Sequence, residues 1–71
     1  MEFEERVKRL TLTEMHNIET HYYAALETSH GSGDHWILMP VLDKYGFRTN
    51  SPDGAMNLAE EIITYWYRTS E

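Results

Sequence analysis

The sequence contains no cysteine. Disulfides, thiolate nucleophiles and cysteine-based zinc sites are therefore excluded, and packing alone must hold the fold together. Bases are scarce: six Lys and Arg against twelve Asp and Glu give a net charge of -6. That balance repels phosphate backbones and argues against direct nucleic-acid binding, which depends on cations displacing counterions. Long apolar runs are missing, the longest being Trp36 to Met39 followed across Pro40 by Val41 and Leu42. No membrane span fits such runs. The start, Met1-Glu2-Phe3-Glu4-Glu5, is acidic where a secretory leader would be basic and then apolar, so a cytoplasmic protein is expected. The apolar share of 41% is nevertheless too high for a disordered chain. One small domain over residues 1–71 is the expectation.

Charge is unevenly placed. Residues 1–9 hold Glu2, Glu4 and Glu5 against Arg6, Lys8 and Arg9 and cancel. Residues 10–43 hold Glu14, Glu19, Glu27, Asp34 and Asp43 with no Lys or Arg. Nearly all the net charge thus lies in the middle of the chain. It serves either general solubility or attraction to a cationic partner.

The patterning predicts an all-α domain of three to four helices. Phe3, Val7 and Leu10 recur at helical spacing in a short first element. Thr11-Leu12-Thr13-Glu14 is a capping box, flanked by Leu10 and Met15 as a hydrophobic staple. The helix it opens is expected to reach about Ser29. Its inner stripe would comprise Leu12, Met15, Ile18, Tyr22, Ala25 and Leu26, with Glu14 and His21 on one flank and His16 and Tyr23 on the other. Gly31 and Gly33 break it. Asp34 is a candidate cap for a segment from His35 to Tyr45, which Pro40 could kink or restart and Gly46-Phe47 would stop. Ser51-Pro52-Asp53 opens a last helix running to about Arg68. The apolar residues of that helix, from Ala55 to Tyr67, cover roughly 200° of its circumference. Either it is wedged among several neighbours, or one edge (Met56, Ile63, Tyr67) stays free for a homodimer or partner contact.

Catalytic signatures are lacking. His16 and His21 are five residues apart and diverge on a helix, and Glu27-x-x-His30 is a single copy of a motif that metal-binding bundles use in pairs. Neither a metal nor a cofactor is expected, although a small metal-dependent enzyme would have to use these histidines. Ser29, Ser32 and Ser51 fall at turns or caps. Gly31 and Gly33 lack the preceding strand and following lysine of a phosphate loop. Glu60 and Glu61 are adjacent and point to different helix faces. What remains is surface recognition: acids, histidines and Tyr23 on the second helix, followed by Asp34-His35-Trp36. Trp36 could also serve as a core plug.

Three segments, His30-Gly31-Ser32-Gly33-Asp34-His35-Trp36-Ile37-Leu38-Met39-Pro40, Ser51-Pro52-Asp53-Gly54 and Tyr65-Trp66-Tyr67-Arg68, resemble the colicin and pyocin DNase immunity proteins over residues 30–68. The resemblance implies a small acidic four-helix inhibitor that blocks a basic nuclease with acids of its second helix and a tyrosine pair just before the proline, which here is Leu38 and Met39. Carried over, the acids are Glu14, Glu19 and Glu27, and the short-helix aspartate falls on His35 or Asp34. The expected partner-binding set is Glu14, Glu19, His21, Tyr23, Glu27, Asp34, His35, Trp36, Leu38 and Met39. The expected function is non-enzymatic inhibition of a basic, nucleic-acid-handling enzyme, as an immunity protein or a phage-encoded anti-defence inhibitor. A structural homodimer or assembly subunit is the alternative.

Overall fold

The computed structural model describes residues 3–28 and 33–69, and these form four helices. Helix α1, Phe3–Lys8, buries Val7 and sets the Phe3 ring edge-on against Phe47 and Tyr65, at 6.2 and 6.0 Å between centroids. Helix α2, Leu12–Leu26, opens on the expected capping box. The Glu14 backbone N–H donates to the Thr11 hydroxyl at 3.1 Å, and the Thr11 N–H donates to Glu14 Oε1 at 2.8 Å. Leu10 and Met15 are both buried beside it, as a staple requires.

Helix α2 ends before the expected Ser29. The helix stops at Leu26 with Glu27 as C-cap, and the Thr28 N–H and hydroxyl both turn back to the Ala25 carbonyl. Ser29, His30, Gly31 and Ser32 lie outside the described residues. Helix α3, Gly33–Lys44, starts two residues before His35, so Asp34 sits in its first turn rather than capping it. Pro40 neither ends nor restarts α3; it lies exposed within it.

The stop at Gly46 is as the sequence indicates. Gly46 has φ of 92°, its N–H donates to the Asp43 carbonyl, and the Phe47 N–H donates to the Leu42 carbonyl at 2.9 Å. This is the paired bonding of a Schellman end, and buried Phe47 and Leu42 supply its apolar clasp. Helix α4, Pro52–Thr69, opens on Ser51, whose hydroxyl accepts from the Gly54 N–H at 3.0 Å.

Helices α2, α3 and α4 all touch one another, and α1 packs on α4. The C-terminal end of α2 (Leu26, Thr28), the start of α3 (His35) and the start of α4 (Asp53, Met56) line one hollow. Helices α3 and α4 therefore begin at the same end of the bundle and run parallel, with α2 antiparallel to both. Residues 45–51 make this possible by returning alongside α3, where Arg48, Thr49 and Asn50 share a hollow with Met39, Pro40 and Asp43.

The core comprises Val7, Leu10, Met15, Ile18, Leu38, Leu42, Phe47, Ala55, Ala59, Ile62 and Ile63. Each large side chain buried there contributes about 1.5–3 kcal/mol of transfer free energy. The wide apolar arc of α4 follows from its three neighbours: Ala55, Ala59, Ile62 and Ile63 face inward, while Met56, Leu58, Tyr65 and Trp66 pack against the periphery of the core. The inner stripe of α2 is narrower than its sequence indicates. Leu12 and Leu26 are 60% and 53% exposed, because three helices this short leave room only for Met15, Ile18, Tyr22 and Ala25 on the inward side.

Candidate functional site

The residues singled out from the sequence are divided by the fold. Glu14 is committed to its cap and shares a hollow with Arg6, Arg9 and Lys44, so cations surround its charge. It is removed from the anionic face. His21, seven residues further on, lies on the same α3-facing flank of α2, the flank on which Asn17 donates to the Tyr45 hydroxyl at 2.9 Å. Glu19 and Tyr23 lie on the opposite flank, towards α4.

Leu38 is fully buried and cannot touch a partner, which corrects its place in the binding set. Its position in α3 faces α2 and α4 together, so burial there takes precedence over any contact with solvent. His35 is also buried: its Nε2 lies 3.5 Å from the Thr28 carbonyl, where α3 meets the end of α2. Met39 is half-buried beneath the returning segment. Trp36 is 57% exposed and is not a core plug. Glu27 is exposed and Asp34 half-exposed.

The bases are confined along the bundle, whereas acids lie at both ends, Glu4, Glu5, Glu14 and Asp43 being placed among the bases. Arg6, Lys8 and Arg9 belong to α1 and the turn after it, Lys44 and Arg48 to the end of α3 and beyond, and Arg68 to the last turn of α4. Phe3 and Arg68 border one hollow, Arg6, Arg9 and Lys44 another, and Arg48 is paired with Asp43 at 3.5 Å. Every lysine and arginine thus lies towards the α1 end. The opposite end carries Glu27, Asp34 and Asp53, with Trp36 exposed one turn into α3 and Ile37 beside it.

The α4 edge of Met56, Ile63 and Tyr67 indicated by the sequence, within which Ile63 is buried, has a counterpart on α2. On α2, Leu12, His16, Glu19, Tyr23 and Leu26 recur at alternating spacings of four and three, and so form one line along the helix. Met56, Glu60, Ile63 and Tyr67 form a matching line on α4. The two lines meet in a seam. The Tyr67 hydroxyl donates to both oxygens of Glu19 at 2.8 Å, and Leu26 and Met56 border one hollow of about 340 Å³. Burial first, and then the nearby Glu60 charge, raises the Tyr22 hydroxyl above its ordinary pKa. Tyr67 is raised as well, chiefly by its bond to Glu19. The signal for the α2 line is its spacing, which in the sequence alone fits an inward stripe through Leu12 and Leu26 equally well.

Among the described residues no group of three His, Asp or Glu could hold a metal, and no helix is long and apolar enough to cross a membrane. Comparison with known proteins finds no matching family model, curated protein or solved structure.

Proposed function

We propose that this protein is a non-enzymatic inhibitor that docks its acidic end onto a cationic protein, a nuclease or another nucleic-acid-handling enzyme. The observation that carries this reading is the distribution of charge. Glu27 at the end of α2, and Asp34 and Asp53 in the first turns of α3 and α4, belong to the end of the bundle where those three helix termini meet, which carries no lysine or arginine and exposes Trp36. Carboxylates so grouped occupy positions that phosphates take on such an enzyme, and Trp36 and Ile37 supply the apolar contact that slows dissociation. The resemblance of residues 30–68 to DNase immunity proteins supports the same reading. An immunity protein and a phage-encoded anti-defence inhibitor are both forms of it.

The test starts with affinity capture from the native host or its competitor, followed by kinetics on the purified pair. The partner's activity on nucleic acid is expected to fall stoichiometrically with added protein. Glu27→Gln combined with Asp34→Asn is expected to slow association and flatten its dependence on salt. An acidic partner, or an association rate indifferent to ionic strength, refutes the reading.

A further inference from the structure

At the α1 end of the bundle, Arg6, Arg9, Leu10, Glu14, Lys44 and Tyr45 line a hollow of about 310 Å³. Three of the six bases of the chain thus face one space. Uncharged contacts position two of them. The Arg6 guanidinium lies against Gly46, where the missing Cβ leaves it room. The Lys44 ammonium stands over the Tyr45 ring, 5.8 Å from its centroid, and the hydroxyl of that ring accepts from Asn17. Glu14, the carboxylate of the hollow, has its Oε1 engaged by the Thr11 N–H of the helix cap. Among the described residues no carboxylate comes within ion-pair distance of Arg6, Arg9 or Lys44, whereas Arg48, outside the hollow, pairs with Asp43. Arg6 is half-buried all the same. A guanidinium drawn from water in this way costs free energy until an anion meets its donors.

We infer that this hollow is an anion site that receives the phosphoryl group of a small phosphate ester. Charge and geometry select that chemistry. Three cations against one carboxylate leave a local charge of +2, which balances a phosphate dianion and exceeds the single charge of a carboxylate. Arg6 and Arg9, three residues apart, offer paired N–H donors that match phosphate oxygens, with Lys44 as a point charge beside them. Size and surroundings select a small ligand over a nucleic acid. Glu4, Glu5 and Asp43 stand among the same bases without lining the hollow, and the chain carries -6 overall. A polyanion reaching beyond the hollow is therefore repelled, while a single phosphoryl group is not. The assignment is independent of the proposed function, which uses the opposite end of the bundle.

The experiment uses the whole chain, isotope-labelled, titrated at constant ionic strength with inorganic phosphate, phenyl phosphate, acetate and a short DNA duplex. Both phosphates are expected to shift the Arg6 and Arg9 side-chain N–H signals and the Gly46 amide saturably, and to bind about tenfold or more tightly than acetate. Their affinity is expected to fall severalfold as pH drops through about 6, where the phosphate dianion gains a proton. Arg9→Gln, at an exposed position, is expected to weaken phenyl phosphate about fivefold or more at unchanged helical content, and Arg48→Gln to leave it unchanged. Shifts spread evenly over Arg48 and Arg68 as well overturn the site, leaving general ionic screening. Acetate binding as tightly as phosphate overturns the phosphoryl assignment. Affinity for the duplex above that for either phosphate overturns the choice of a small ligand.

Discussion

The Tyr67 hydroxyl donates to both carboxylate oxygens of Glu19, joining residues 48 positions apart across the α2/α4 seam. The bond holds the phenol in its protonated form, so Tyr67 titrates above its ordinary value of 10. A pKa raised in the folded state contributes stability that is complete below the unfolded value and is lost as pH rises through the folded one. Glu19→Gln is expected to bring Tyr67 back towards its ordinary range. Tyrosinate absorbance or ring NMR shifts followed through an alkaline titration will show it; an unmoved Tyr67 would mean that the carboxylate is not its partner.

Leu38 and Trp36 are two residues apart on α3 and have opposite surroundings. Leu38→Ala is expected to cost about 2–5 kcal/mol, because Leu38 is fully buried in the core. Trp36→Ala is expected to change stability by only about 0.5 kcal/mol in either direction. Chemical denaturation of both variants checks the pair, and comparable losses would place Trp36 inside the protein.

A side chain at Gly46 is strained by its backbone conformation. Its φ is 92°, and a Cβ there would meet the Arg6 guanidinium. Gly46→Ala is expected to destabilise by about 1 kcal/mol or more and to lower the thermal midpoint. Thr11→Ala, which removes one half of the capping box, is expected to cost about 1 kcal/mol. A melting curve that either substitution leaves unmoved contradicts the corresponding contact.

Glu27 and Asp34 differ in the helix ends they occupy. Asp34 lies in the first turn of α3, where the positive end of the helix dipole offsets its charge, whereas Glu27 caps the negative end of α2. Glu27 therefore contributes more to the outward negative potential. In association kinetics with a cationic partner, Glu27→Gln is expected to slow binding more than Asp34→Asn does, and the reverse order refutes this account of the field.

Short-range chemistry in the sequence identified most of the fold. Thr11 with Glu14, Gly46 with Phe47 and Ser51 with Pro52 specify helix ends through bonds closed within five residues or fewer, so each is visible in its local sequence. Features that depend on which helices become neighbours were not visible there. Leu12 and Leu26 fit an inward stripe by spacing alone, and only the width of a three-helix contact excludes them. Glu14 belongs to a stretch without bases, yet α1 and the end of α3 bring Arg6, Arg9 and Lys44 beside it. Of the candidate site, the acids and aromatics were legible as types; their division between two flanks of α2 was not.

The parallel course of α3 and α4 bears on how the chain finds its fold. Helices α2 and α3 are successive and antiparallel, so they can pair early at little loop-closure cost. Helix α4 can dock only after residues 45–51 have crossed the length of α3, and its contacts with Phe3 and Glu19 then close the longest loops in the molecule. Helix α1, six residues long, burying only Val7 and packed on α4 alone, is the natural first unit to open, and its amide protons should exchange ahead of those near Met15, Ile18 and Leu38.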